Sequence, residues 1–311
     1  MRIYIFSLVI GLFCISCRQE PKLYWGEKQM LQQIITMKDS LPKYPHDKQI
    51  KYIVFMRLSY PYEFYLDDIL IRHSTEQHSH PIIELNPYLL ENGKHKIRVQ
   101  FPAEDSKNLN ADDEIYFIRT KKDLDDRNFF NFNIENYTKD EIQIFDFKTS
   151  SHSTWEKEIE ITELPYQIRG WNEGEDLSKW NQIELEQKVI AFYKKLRILL
   201  NNGEVEEFMN LSKFKDFETT ITIYDTPEDF EADIYYNKIA LEEECKGNML
   251  PIEKYKMKLY GDGKLVKLEN AEGEFKNYSV LASNSKKYGK SYWGVMLYKP
   301  KNSNDFIIIR R

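Results

Sequence analysis

Apolar and polar positions follow two different rhythms along this chain, and the change falls near residue 169. Between 49 and 168 the apolar residues come in short runs or in alternation. Tyr52-Ile53-Val54-Phe55-Met56 is a continuous run, as a strand buried on both faces requires. Tyr62, Phe64 and Leu66 recur at every second position, and Ile69-Leu70-Ile71 follows after Asp67-Asp68. Pro81-Ile82-Ile83-Glu84-Leu85 is another such run, and the Asn92-Gly93 turn signal precedes Ile97, Val99 and Phe101. Ile115 to Ile118, Phe129 to Ile134, Ile142 to Phe147 and Ile159 to Ile161 complete the series. Roughly eight or nine short strands at this spacing predict an antiparallel β-sandwich-like domain over 49–168.

Beyond that point the period lengthens. Trp180, Ile183, Val189, Ile190, Tyr193, Leu196 and Leu200 lie at helical spacing, and Gly203 stands where such a helix ends. A shorter helix is expected through Val205, Phe208, Met209 and Leu211. Thr226-Pro227-Glu228-Asp229 opens a third: a capping hydroxyl, a proline at the first turn, and acids at the positive end of the dipole. That helix carries Phe230, Ile234 and Leu241 towards Gly247. Strands then return at Tyr255 to Leu259 and Leu265 to Leu268, joined across Gly261-Asp262-Gly263. Tyr278 to Leu281, Tyr292 to Tyr298 and Phe306 to Ile309 follow. The expectation for 169–311 is about three helices packed on a 4–5-stranded antiparallel sheet, so the whole chain reads as α+β. Ahead of both halves, 17–48 reads as a tether followed by a short helix with Met30, Leu31, Ile34 and Ile35 on one side.

The N-terminus carries an address. Arg2 precedes a mostly apolar run from Ile3 to Phe13, too short to span a bilayer, which takes about twenty residues. Ile15-Ser16-Cys17 places a small residue directly before a cysteine. This layout resembles a bacterial lipoprotein signal. The resemblance implies that 1–16 is removed and that Cys17 is acylated, placing the chain in the cell envelope of a Gram-negative bacterium, lipid-anchored to the outer membrane. Cys14 stands where that family usually has leucine. Acylation holds a chain to a membrane at about 0.8 kcal/mol per buried methylene. In the C-terminal half, Phe192-Tyr193-Lys194-Lys195-Leu196, Asn201-Asn202-Gly203-Glu204 and Phe208-Met209 resemble the opening of nuclear-transport-factor-like, or cystatin-like, α+β cones. Such cones often enclose an apolar pocket, in enzymes and binding modules alike.

Composition narrows the function. The 311 residues are 41% hydrophobic, 14% aromatic and 30% charged, enough for large cores under a well-solvated surface. The net charge is −6, and no basic stripe appears, so no nucleic-acid partner is expected. Of three cysteines, the lipoprotein resemblance implies that Cys14 leaves with the signal and Cys17 takes the lipid, so only Cys245 remains and no intrachain disulfide is expected. Gly289-Lys290-Ser291 lacks the earlier glycine of a P-loop, where Asn284 stands. Asp123 to Asn128 resembles a calcium loop but has Arg127 at a ligand position and Asn128 where the glycine belongs. No cofactor is expected.

Two groups of residues remain as candidates. His73, Glu76, His78 and His80 offer imidazole and carboxylate ligands suited to zinc. If 74–79 is a hairpin loop, His73 and His80 end facing strands; a solvated loop is the plain alternative. Trp155, Tyr166, Trp171, Tyr288, Tyr292 and Trp293 have the apolar body and polar tip that suit a protein or glycan interface, or a seam between domains. The expectation is a non-enzymatic envelope lipoprotein with a binding or interaction role, of the immunity or assembly type. An envelope hydrolase acting on wall polymer or glycan is the alternative, with no catalytic residues assigned.

Overall fold

The computed structural model describes residues 28–101, 113–122, 134–146, 154–273 and 275–309. Cys17, the acidic run from Asp123 to Asn128 and the start of the strand expected at Phe129 lie outside the described residues. Ile134 itself opens a short 3-10 turn, Ile134–Asn136. Eight strands come first: β1 (Ile50–Arg57), β2 (Tyr62–Leu66), β3 (Ile69–Ser74), β4 (Ile82–Glu84), β5 (Gly93–Gln100), β6 (Glu114–Lys121), β7 (Ile142–Asp146) and β8 (Thr154–Ile161). They form two antiparallel sheets, ordered β4-β1-β6-β7 and β3-β2-β5-β8.

The two sheets face each other across one core. Tyr52, Val54, Met56 and Phe117 from the first sheet share a buried cluster with Phe64, Leu66, Ile97, Val99 and Trp155 from the second. The alternate residues of β1, Ile53 and Phe55, pack on the opposite face with Tyr116, Ile118 and Tyr137. Burial on both faces is why β1 reads as an unbroken apolar run. Leu66 pairs with Ile69, so Asp67 and Asp68 form a two-residue hairpin loop, both with positive φ, 45° and 65°. That is the geometry that follows the right-handed twist of the strands, and aspartate tolerates it.

The segment after β3 departs from the expected hairpin. Among the described residues β3 pairs only with β2, while β4 pairs with β1 in the other sheet. Residues 75–81 therefore cross the open edge of the sandwich. Asn92 also does more than turn the chain. Its side chain donates to the Leu164 carbonyl at 3.0 Å and accepts from the Leu164 N–H at 2.8 Å, clipping the exit of β8 to the entry of β5.

Four helices are described: α1 (Lys28–Ile35), α2 (Gln182–Asn202), α3 (Val205–Ile223) and α4 (Pro227–Cys245). Asn181 caps α2 by accepting from the Ile183 and Glu184 N–H groups, and Gly203 ends it with φ 79°, a left-handed residue that glycine adopts without cost. Thr226 and Asp229 form a reciprocal capping box on α4. α3 runs about three turns beyond the expected Leu211. Its Ser and Thr hydroxyls bond back to carbonyls of the preceding turn, as Thr219 does to Lys215 at 2.7 Å. α1 packs with α3 and α4, and Leu31, Ile34 and Ile35 lie in the helical core, so the N-terminal helix belongs to the C-terminal half. No described helix is long and apolar enough to cross a membrane.

β9 (Tyr255–Tyr260), β10 (Leu265–Asn270), β11 (Ala282–Ser285), β12 (Gly289–Tyr292), β13 (Met296–Tyr298) and β14 (Ile307–Ile309) complete the chain. They make an antiparallel sheet β14-β13-β10-β9, with β11-β12 a separate hairpin inserted between β10 and β13. Tyr278 to Leu281 joins β10 through isolated bridges instead of forming a strand of its own. The class is α+β, a sandwich-like half followed by a helix-and-sheet half. Tyr224, Tyr260, Leu265, Met296 and Ile309 of the second half are buried in the same cluster as the sandwich core, so the two halves share apolar packing.

Candidate functional site

The crossing at 75–81 has a geometric consequence. β3 is the edge of one sheet and β4 the edge of the other, so the sandwich is open between them. The C-terminal half closes over this opening incompletely and leaves a cleft of about 570 Å3. One wall is Arg72, His73 and Glu84 on the two edge strands; the other is Lys267 on β10 with Tyr278 and Tyr292. Size and placement at a seam between two halves suit a small ligand or a segment of a larger one.

The charges on these walls are unevenly balanced. Glu84 is held by Lys51 at 3.5 Å. Arg72 has no carboxylate partner among the described residues and lies beside the buried Tyr62 hydroxyl, whose pKa burial raises. Lys267 stands 3.4 Å from Glu269, a fully buried carboxylate that also attracts Lys258 at 3.5 Å and Lys256 at 3.8 Å. The Tyr260 hydroxyl donates to Glu269 at 2.5 Å, and burial with that carboxylate raises the Tyr260 pKa strongly. Three ammonium groups thus share one buried carboxylate. Glu63 adds a second carboxylate nearby, accepting from the Tyr65 hydroxyl at 2.5 Å and from the Asn277 amide at 3.3 Å.

His73 is biased towards its neutral form. Burial lowers its pKa first, and the Lys267 charge lowers it further. Its ring meets Tyr278 edge-on at 4.3 Å, and Tyr278 meets Tyr292 at 4.1 Å. The result is an aromatic wall beside a guanidinium that has no carboxylate partner among the described residues. Such a site favours a group that is negatively charged and offers a flat or apolar face.

The structure separates the proposed zinc ligands. His73, next to last on β3, lines the cleft, while Glu76 and His78 are exposed in the crossing segment, His78 with φ 55°. His80 sits at the end of that segment, beside the other sheet. Among the described residues no three His, Cys, Asp or Glu side chains converge to hold a metal ion. The correction follows from topology: a crossing between sheets pulls apart what a hairpin would have brought together.

The aromatic candidates divide. Trp155, Tyr166 and Trp171 are buried in the shared core, Trp155 against Phe145 of the sandwich at 5.6 Å. The Tyr166 hydroxyl donates to the Asn86 carbonyl at 3.2 Å. Tyr288 is exposed on the β11–β12 turn and its hydroxyl bonds Glu243. Tyr292 lines the cleft, and Trp293 lies next to it in the helical core. Arg72, Lys267 and Tyr278 carry no motif; only the sandwich edge and its covering half reveal them. No family model matches the chain, nor does any curated protein or solved structure.

Proposed function

We propose that the protein is a non-enzymatic lipoprotein of the cell envelope, anchored through acylated Cys17, whose seam cleft binds an anionic group of a small ligand or envelope partner. The observation that carries the binding role is Arg72, unpaired with any carboxylate among the described residues, on the wall of a 570 Å3 cleft. In a chain of net charge −6, a cleft whose free charge is positive marks a local preference that the overall charge opposes. Binding is favoured over turnover because the two groups best placed for proton transfer are already committed. Glu84 is engaged with Lys51, and His73 is packed on Tyr278. Anchoring rests on the lipoprotein-type signal and the single small residue before Cys17.

Acetate and inorganic phosphate, titrated into the full mature chain in detergent, test the cleft. Saturable NMR shifts at residues 72–73, 278 and 292–296 are expected, and Arg72→Ala abolishes them. Equal binding by the variant, or shifts elsewhere only, refutes the reading. Cys17→Ser moves the chain out of the membrane fraction if Cys17 carries the anchor.

A further inference from the structure

A second hollow adjoins the seam cleft. It measures about 510 Å3, lies between α3, α4 and the turn after β12, and shares Tyr88, Tyr292 and Gly294 with the cleft. Its floor is apolar, built from Phe208, Met209, Phe230 and Ile234. Its rim is acidic. Asp216 has partners, the Ser212 hydroxyl at 3.1 Å and Lys215 at 3.7 Å. Asp233 has no cationic partner among the described residues. Burial raises its pKa, and the carboxylates of Asp225, Asp229 and Asp216 raise it further, so an arriving cation would relieve that repulsion.

We propose that the two hollows form one groove for a dipolar, extended ligand: a short peptide with its free carboxylate at Arg72 and its free amine at Asp233. This extends the anion-binding reading of the cleft and rests on it. The two charges lie on adjoining hollows with a tyrosine wall between them, so a single ligand with opposite ends satisfies both. A neutral glycan leaves both charges without a counterion. A purely anionic polymer meets Asp233 as a like charge. Between the ends, the indole N–H of Trp293 is buried and has no acceptor among the described residues, on the wall of the acidic hollow. A peptide carbonyl is the group that supplies one. The apolar floor accommodates a side chain of such a ligand.

Tetrapeptides with randomised side chains, prepared free, N-acetylated, C-amidated and doubly capped, test this against the full mature chain in detergent by calorimetry. The free form should bind tightest, with each cap weakening binding about tenfold, as loss of a charge-assisted contact does. In Arg72→Ala the amide cap should lose its effect while the acetyl cap keeps it; Asp233→Asn should show the reverse. Both positions are exposed, so the variants should fold, as circular dichroism would verify. If acetylation and Asp233→Asn change nothing while amidation still matters, the second pole is wrong and the anion site stands. If acetate and phosphate bind but no peptide does, the dipolar ligand is wrong alone. If neither anions nor peptides bind, both readings fall together.

Discussion

Replacing Asp67 by Asn removes one charge from the β2–β3 turn and leaves its backbone in place, because asparagine also tolerates a φ of 45°. Asp67 Oδ1 accepts the Lys96 N–H at 2.8 Å, a bond the amide oxygen can keep. What is lost is the contact with His95. Its Nδ1 lies 2.5 Å from Asp67 Oδ2 and its Nε2 3.2 Å from the Glu91 carbonyl. With an acceptor at each nitrogen, the ring is satisfied only when both are protonated. Burial lowers the His95 pKa, but the hydrogen bond to Asp67, the Asp67 charge and the Glu91 carbonyl outweigh it, and the net shift is upward. The folded pKa therefore lies above the unfolded one, near 6.5. The stabilisation is complete below that unfolded value and disappears as pH rises through the raised folded value. A hydrogen bond to a charged group contributes about 1.5–3 kcal/mol. Asp67 is 41% exposed, so solvent screening brings this nearer to about 1 kcal/mol. Urea unfolding of both proteins at about pH 5.5 and about pH 9 reads the difference directly. His73, whose folded pKa is lowered, contributes in the opposite sense, with stability lost as pH falls, but it cancels in the comparison. The variant should be weaker by about 1 kcal/mol at the lower pH and by only a few tenths at the higher. A gap that is equal at both, or larger at high pH, refutes the assignment of a charged His95.

Asn86 ties the halves together and should be costly to change. It is fully buried, accepts the Tyr52 N–H at 2.8 Å, donates to the Ile50 carbonyl at 2.9 Å, and meets the Tyr224 hydroxyl at 3.3 Å. Asn86→Leu leaves a buried N–H without an acceptor and should lower unfolding free energy by about 2–4 kcal/mol; a loss below about 1 kcal/mol in urea would contradict this. Cys245 is buried, and burial pushes its thiol up to about 12. A disulfide-exchange reagent should leave it untouched in the native protein and label it fully after unfolding, whereas rapid native labelling would mean the helix end opens.

The strand-rich and helix-rich halves were legible because burial imposes a period on the chain wherever an element has one wet face. The cap at Thr226, the glycine after α2 and the β9–β10 hairpin are local chemistry, settled within a few residues of one another. α3 continues past the expected Leu211 through a threonine and isoleucine run whose propensity favours strands, because packing against α1, α2 and α4 overrides so weak a preference. The docking of α1 on the far half was invisible, since an apolar stripe shows that a helix is covered but not by what.

The site lies on the other side of that divide. Local pattern determined the α+β class and most element positions, because period, turn and cap preferences act between neighbours in the chain. Tertiary structure alone decided that β3 and β4 belong to different sheets, that His73 and His80 part company there, and that Arg72, Lys267 and Tyr292 meet over the gap. Those three come from segments far apart in sequence, and which strand edge a second half covers is set by the fit of whole surfaces, which no short stretch of residues encodes.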